Sequence, residues 1–255
     1  MTLLGSSELD VDIAGIDVCR NRDLDIAAGD VVAILGANGI GKTTLLHTLA
    51  GLRAPSAGHV ILDTLPLSGY APRERARRLG VLFQDHQDPL YASVLQTVLA
   101  GRHPFLPAFR PESETDLEIA HDALRRTGML DKRDMPVSVL SGGERKRVAL
   151  ASLLAQRPLV CLLDEPNTHL DLHHQISLLE LVTDQVIQGG GCAVMVLHDV
   201  NLALRFCRSA LLLFGDGDTL YGSTDDVIDS ANLTRLYQHP MRAFTDGDSR
   251  CFVPG

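Results

Sequence analysis

No apolar run in this sequence approaches the roughly 18 to 20 residues needed to cross a bilayer, and the longest, Leu159 to Leu163 and Ala210 to Phe214, are strand-length. Any role across a membrane would therefore need a partner that spans it. Also missing is the basic segment and long apolar stretch of a secretory signal. The chain opens Met-Thr-Leu-Leu-Gly-Ser-Ser-Glu, which points to the cytosol. Cys19, Cys161, Cys192, Cys207 and Cys251 are odd in number and show no CxxC spacing, which argues against a disulfide framework and a zinc site; all five are expected to be reduced. Positive charge is short too. A net charge of −9 gives no electrostatic reason to expect nucleic acid, whose phosphates demand a basic face. The local exception, Arg73, Arg75, Arg77 and Arg78, suits the solvated side of a short helix after Pro72.

What is present describes one globular domain: 255 residues, 45% hydrophobic and 22% charged. Four short runs rich in Val, Ile and Leu, at Val31 to Leu35, Val81 to Phe83, Leu159 to Leu163 and Ala193 to Leu197, read as buried parallel strands. Helical periodicity lies between and after them, as in Leu45, Leu46 and Leu49 before Gly51, and Ile176, Leu179, Val182 and Val186 before Gly189. Alternating strands and helices predict an α/β sheet with helices on both faces. From about Pro89 to Gln156 strand signals vanish, so residues 89–156 are expected to form an all-helical insert. The prolines Pro104, Pro107 and Pro111 mark a loop inside it. The core then comprises residues 1–88 and 157–222, and the tail 223–255 receives no assignment.

Each apolar run is followed by a polar group: a glycine loop at Gly36, Gln84 after Phe83, Asp164 and Glu165 after Leu163, His198 after Leu197. Strands of a parallel sheet end at one edge, where open α/β sheets bind ligands, so these groups should converge on one crevice. The segment Gly36, Ala37, Asn38, Gly39, Ile40, Gly41, Lys42, Thr43, with Thr44 after it, fits GxxxxGK[ST] between a strand and a helix. Its glycines let backbone N–H groups curl around an anion at a helix N-terminus. Lys42 is then expected to reach β and γ phosphates, and Thr43 to ligate Mg2+. Asp164 and Glu165, adjacent at a strand end, should diverge, the one toward a metal's water shell and the other toward an attacking water. His198 at a strand end can hold that water in line. By contrast His47, His86, His121, His173 and His174 read as ordinary structural histidines. Ser141 and Glu144 form a capping box for a helix with Val148, Ala151, Leu154 and Ala155 on one face. Gly142 and Gly143 leave its first N–H groups bare enough for a phosphate.

With Gly36 to Thr43, Gln84, Leu140 to Glu144, Cys161 to Pro166 and His198 in this order, the chain resembles ATP-binding cassette ATPases over nearly its whole length. The phosphate loop alone would say only NTPase; Leu-Ser-Gly-Gly-Glu narrows the resemblance to this family. It implies a phosphate-loop NTPase core with a mostly parallel sheet, an N-terminal antiparallel β part and an inserted helical subdomain. It also implies ATP and Mg2+ held between two head-to-tail subunits, with Ser141, Gly142, Gly143 and Glu144 of one facing the phosphates gripped by Lys42 of the other. By the same resemblance Glu165 is the general base, Asp164 a magnesium partner, Gln84 a metal-contacting sensor linked to the membrane subunit, and Asp171 a contact across the dimer. Polytopic permease subunits and an external substrate-binding protein are the implied partners, placing the chain on the cytoplasmic face of the membrane. Within the family, Thr97 to Pro104 and His169 to Gln175 look like importers of iron-siderophore, haem and cobalamin chelates. Family members usually stack adenine on an upstream aromatic, yet none occurs here before Tyr70, so Arg20 or Arg22 is the expected substitute. The alternative, a cassette ATPase acting on nucleic acid or translation, meets neither a basic stripe nor the room for a long arm between Gln84 and Ser141.

Overall fold

The computed structural model describes residues 1–84, 92–107, 110–168, 170–247 and 249–255. The expected core-to-insert boundary at 88/89, His86 and His169 lie outside them. Along each central strand the side chains alternate between two cores, which is why those runs hold so few polar positions. In β3 (Val31–Gly36), Val31, Ala33 and Leu35 face one core while Val32 and Ile34 face the other. β7 (Val160–Asp164) divides Cys161 and Leu163 from Val160 and Leu162, and β8 (Cys192–Val196) divides Ala193 and Met195 from Cys192, Val194 and Val196. A strand buried on both faces reads as a continuous apolar run.

With β6 (Leu79–Leu82), β9 (Ser209–Gly215) and β10 (Asp218–Ser223), the sheet order is β10-β9-β3-β8-β7-β6. Every pairing in it is parallel except that of the edge strand β10 with β9. The four expected strands fall within two residues of their observed ends. Phe83 drops out of its strand and sets its ring edge-on to His47 at 5.7 Å. The run Ala210 to Phe214 becomes β9 beside β3.

One face of the sheet is covered by α1 (Lys42–Leu49), through Leu45, Leu46 and Leu49, and by the expected N-terminal antiparallel sheet. That sheet has the order β2-β1-β4-β5, from β1 (Thr2–Ile13), β2 (Ile16–Ala27), β4 (Ala57–Leu62) and β5 (Leu65–Pro66). The other core holds α6 (Leu172–Gly189) and α7 (Val200–Phe206), and runs on without a break into the insert helices α3 (Val94–Leu99), α4 (Glu114–Arg126) and α5 (Gly142–Gln156). Each insert helix starts on a reciprocal capping box, at Ser93 and Gln96, Ser113 and Asp116, and Ser141 and Glu144. A buried arginine ties the insert together: Arg102 Nε donates to Asp116 Oδ1 at 2.9 Å and Nη1 to the Ala155 carbonyl at 2.9 Å, with its guanidinium 4.2 Å from the Phe105 ring centre.

The arginine cluster lies, as expected, on a short solvated helix opened by proline, α2 (Pro72–Arg78), and its side chains also find partners. Arg73 and Arg77 donate to the Pro104 carbonyl, and Arg73 to that of Leu106 as well. Arg75 reaches the Gly51 carbonyl, and Arg78 pairs with Asp63. The cluster therefore fastens the proline loop of the insert onto the core. The unassigned tail is folded as α8 (Thr224–Val227), α9 (Ser230–Tyr237) and a hairpin of β11 (Met241–Asp246) and β12 (Ser249–Pro254), locked where Asn201 of α7 exchanges two hydrogen bonds with the Phe252 backbone. All five cysteines are free; Cys19, Cys161, Cys192 and Cys207 are buried, which pushes their thiols up to about 11 or 12. Among the described residues no helix is long and apolar enough to cross a membrane.

Candidate active site

The carboxyl ends of β3, β6, β7 and β8 lie along one edge of the sheet, and the chemistry gathers there. Gly36 closes β3, and the loop that follows delivers Lys42 as the first residue of α1. Gly41 makes that entry possible, because its φ is 103° and a Cβ would meet a Val18 methyl at 2.4 Å. Lys42 is 5% exposed, and its Nζ donates to the carbonyls of Gly36 and Ala37, both at 2.9 Å, so the ammonium lies across its own loop. Burial pulls its pKa down, against the opposing pull of the Glu165 and Asp164 charges.

Asp164 ends β7 at 1% exposure and is hydrogen-bonded to Thr43. Burial raises its carboxyl pKa, and its Oδ1 has no hydrogen-bond partner among the described residues. Glu165 diverges from it as expected, but by a backbone turn rather than by strand alternation, since its φ is 46°. Its two oxygens are then separately engaged: Oε1 lies 2.7 Å from His198 Nε2, and Oε2 accepts from Gln84 Nε2 at 2.9 Å. The Glu165 carbonyl is held in turn by the Thr168 hydroxyl and Lys146 Nζ, each at 2.9 Å.

Asn38, Gly39, Gly41, Lys42, Thr43, Thr44, Gln84, Glu165 and His198 line a single cleft of about 460 Å³, with Ile13 at its edge. Ser141, Gly142, Gly143, Glu144 and Asp171 line a different cleft of about 550 Å³ with Arg147, Leu170 and His174. The two predicted halves are thus not joined within one chain. In the second cleft Glu144 is spent on structure. Its carboxylate accepts from the Ser141 backbone at 2.8 Å and pairs with Lys132, and the Lys132 bond first, then the Ser141 cap, hold it down at about 2. Asp171 caps α6 at His174 N and meets the His174 ring at 2.8 Å, bonds that lower its carboxyl pKa.

Sequence reasoning passed over Ile13, Thr168 and the engagement of Lys146. The first lies before the β1–β2 turn with no motif around it. Of the expected adenine platforms, Arg22 is committed to the Thr219 hydroxyl and carbonyl at 2.8 and 2.7 Å, and Arg20 pairs with Asp17 at the surface. Neither lines the cleft, whereas Ile13 does.

Comparison with known proteins gives the family. The family model for ABC transporters matches residues 19–168. The ferric enterobactin transport ATP-binding protein FepC of Escherichia coli (strain K12) is 38% identical over 220 residues, 86% of this chain and 81% of its own length. Among solved structures, a transporter described as of the metal-chelate type, in an inward-facing conformation, has a TM-score of 0.86 at 28% identity, covering 100% of this chain and 98% of that one. A dimeric ATP-binding cassette in a post-hydrolysis state, bound to ADP and Pi, has a TM-score of 0.76 at 25% identity, covering 87% and 98%. With more than half of its length inside the family model and a relative matched over most of both chains, this protein belongs to the ABC transporter family, as a subunit that binds ATP and hydrolyses it to drive transport.

Proposed function

We propose that Glu165 is the general base of ATP hydrolysis and that the complete site forms only between two copies of this chain arranged head to tail. The observation that carries the reading is the Glu165 carboxylate, held between His198 and Gln84 at the rim of the phosphate-loop cleft. Placed there, Glu165 takes the proton of a water whose oxygen attacks the γ phosphorus. The bond from that phosphorus to the bridging oxygen breaks, and ADP departs with the bonding pair. His198 holds the water and γ phosphate in line, and Lys42 moves from its loop carbonyls onto the β and γ oxygens. Thr43 and the unpartnered buried oxygen of Asp164 fit a magnesium ion, with Gln84 beside them; when bound, the ion neutralises developing charge on the phosphates.

The second cleft supplies the rest. Gly142 has open space where a side chain would stand, and Ser141 and Gly143 flank it at the start of α5. A γ phosphate held by Lys42 of one subunit and capped by the bare N–H groups of the other would join the subunits, and its hydrolysis would release them. The likeness to a ferric enterobactin ATPase and to a transporter of the metal-chelate type supports a cargo of that kind, an iron-siderophore, haem or cobalamin chelate, carried by polytopic permease subunits and delivered by an external binding protein.

Replacing Glu165 by Gln tests the base directly. ATP binding should be retained and a closed dimer should accumulate, while turnover falls by roughly 10² to 10⁴. Undiminished turnover would refute the assignment. For the partner, purification from detergent should bring down a polytopic membrane protein; ribosomes or nucleic acid in its place would overturn the transport reading of this chain.

A further inference from the structure

Lys146 sits in α5, one turn beyond Gly143, and is only 7% exposed. Its ammonium lies inside the chain at the sheet edge, where it donates to the Glu165 carbonyl at 2.9 Å and the Gln84 carbonyl at 3.3 Å. Those two carbonyls belong to the two residues whose side chains meet over the phosphate-loop cleft. A buried cation therefore gathers the backbones of both, from a helix that begins at the other cleft.

The backbone of Glu165 needs such support. At φ 46° a residue with a Cβ occupies the sparsely populated left-handed region, which persists only where the surroundings over-determine it. The Thr168 hydroxyl and the Lys146 ammonium converge on the same carbonyl, and a charged donor makes a stronger bond than a neutral one. Without the ammonium the Glu165 carbonyl keeps, among the described residues, only its bonds to Thr168, and the Gln84 carbonyl loses its link to α5.

We propose that Lys146 is a positioning residue for hydrolysis: its ammonium fixes the peptides of Glu165 and Gln84, so that the aim of the carboxylate depends on where α5 stands against the sheet. Its role runs through those two carbonyls. Because Gly142 and Gly143 open the same helix, a phosphate arriving there would act on the base through this lysine. This inference rests on the reading of Glu165 as the base.

The test is steady-state ATP hydrolysis by the full chain carrying Lys146→Met, which keeps an unbranched side chain and removes the donor. The expected result is a fall in kcat of about tenfold to a hundredfold, the scale of a displacement near 1 Å, with KM for ATP within about twofold of its original value. Lys146→Arg, still able to donate to both carbonyls, should recover most of the rate. Added to Glu165→Gln, Lys146→Met should cause little further loss, because both act on one group. An unchanged kcat, a KM and melting temperature that shift together without rescue by Arg, or a full multiplicative loss on top of Glu165→Gln would each overturn the proposal. Were Glu165→Gln itself to retain turnover, the base assignment would fall; were it inactive and Lys146→Met fully active, only the role of Lys146 would.

Discussion

Around the phosphate loop the functional side chains already have partners inside the chain. Lys42 lies on the carbonyls of Gly36 and Ala37, Thr43 on Asp164, and Glu165 between His198 and Gln84. Around the start of α5 the polar side chains are used up in another way. Ser141 and Glu144 cap their own helix, Asp171 caps α6, and what faces the cleft at Gly142 is backbone with nothing beside it. One region is pre-organised, its side chains already held in place; the other presents bare backbone. The division of labour is therefore written into which groups are satisfied, not only into where they sit.

Two substitutions should separate the regions cleanly. Gly142→Asp puts a carboxylate into open space, so folding should survive, and the negative charge should repel an incoming phosphate. Turnover is expected to fall by on the order of 10² or more, with nucleotide affinity of the isolated chain unaltered. A loss of affinity in the isolated chain would mean that both clefts serve one nucleotide within one chain, and the comparison would fail. Lys42→Ala should do the reverse and weaken ATP binding itself by roughly tenfold to a hundredfold, the worth of a charged hydrogen bond of about 1.5 to 3 kcal/mol. Equilibrium binding of a fluorescent ATP analogue reads both.

The phosphate loop was legible in the sequence because its geometry tolerates so few residues: the φ of 103° at Gly41, and the 2.4 Å approach of Val18 to a Cβ there, admit glycine. The meeting of Gln84, Glu165 and His198 was legible because strands buried on both faces announce their ends. The details that depend on tertiary partners were not. Nothing around Glu165 signals a left-handed backbone, which is sustained by Lys146 and Thr168 from elsewhere in the fold or three residues on. The arginines after Pro72 looked like a solvated face because helical spacing reports which side they share, not that the Pro104 and Leu106 carbonyls lie opposite. The tail helices and hairpin escaped for a similar reason: Phe252 packs into the core against residues distant in sequence, and Asn201 of α7 holds its backbone there.

Acid should sharpen the contrast most gently, because the two regions hold carboxyls shifted in opposite directions. Glu144 is held at about 2, far below its ordinary value of 4.5, first by the bond to Lys132 and then by the Ser141 cap. A depressed carboxyl gives stability that is present above the unfolded value and is lost as pH falls, here between about 4.5 and about 2. Asp164 is raised by burial, so its ionised form costs stability at neutral pH, and protonation on acidification relieves that cost. Across that acid window the cap of α5 should therefore weaken while the floor of the phosphate cleft does not. Glu144→Gln, which can still accept from the Ser141 backbone but has no charge to lose, should show a flatter fall of melting temperature with acidification than the unaltered chain. Identical slopes for the two proteins would mean that the pair with Lys132 contributes nothing, as exposed ion pairs often do, and that the cap owes its strength to the neutral hydrogen bonds alone.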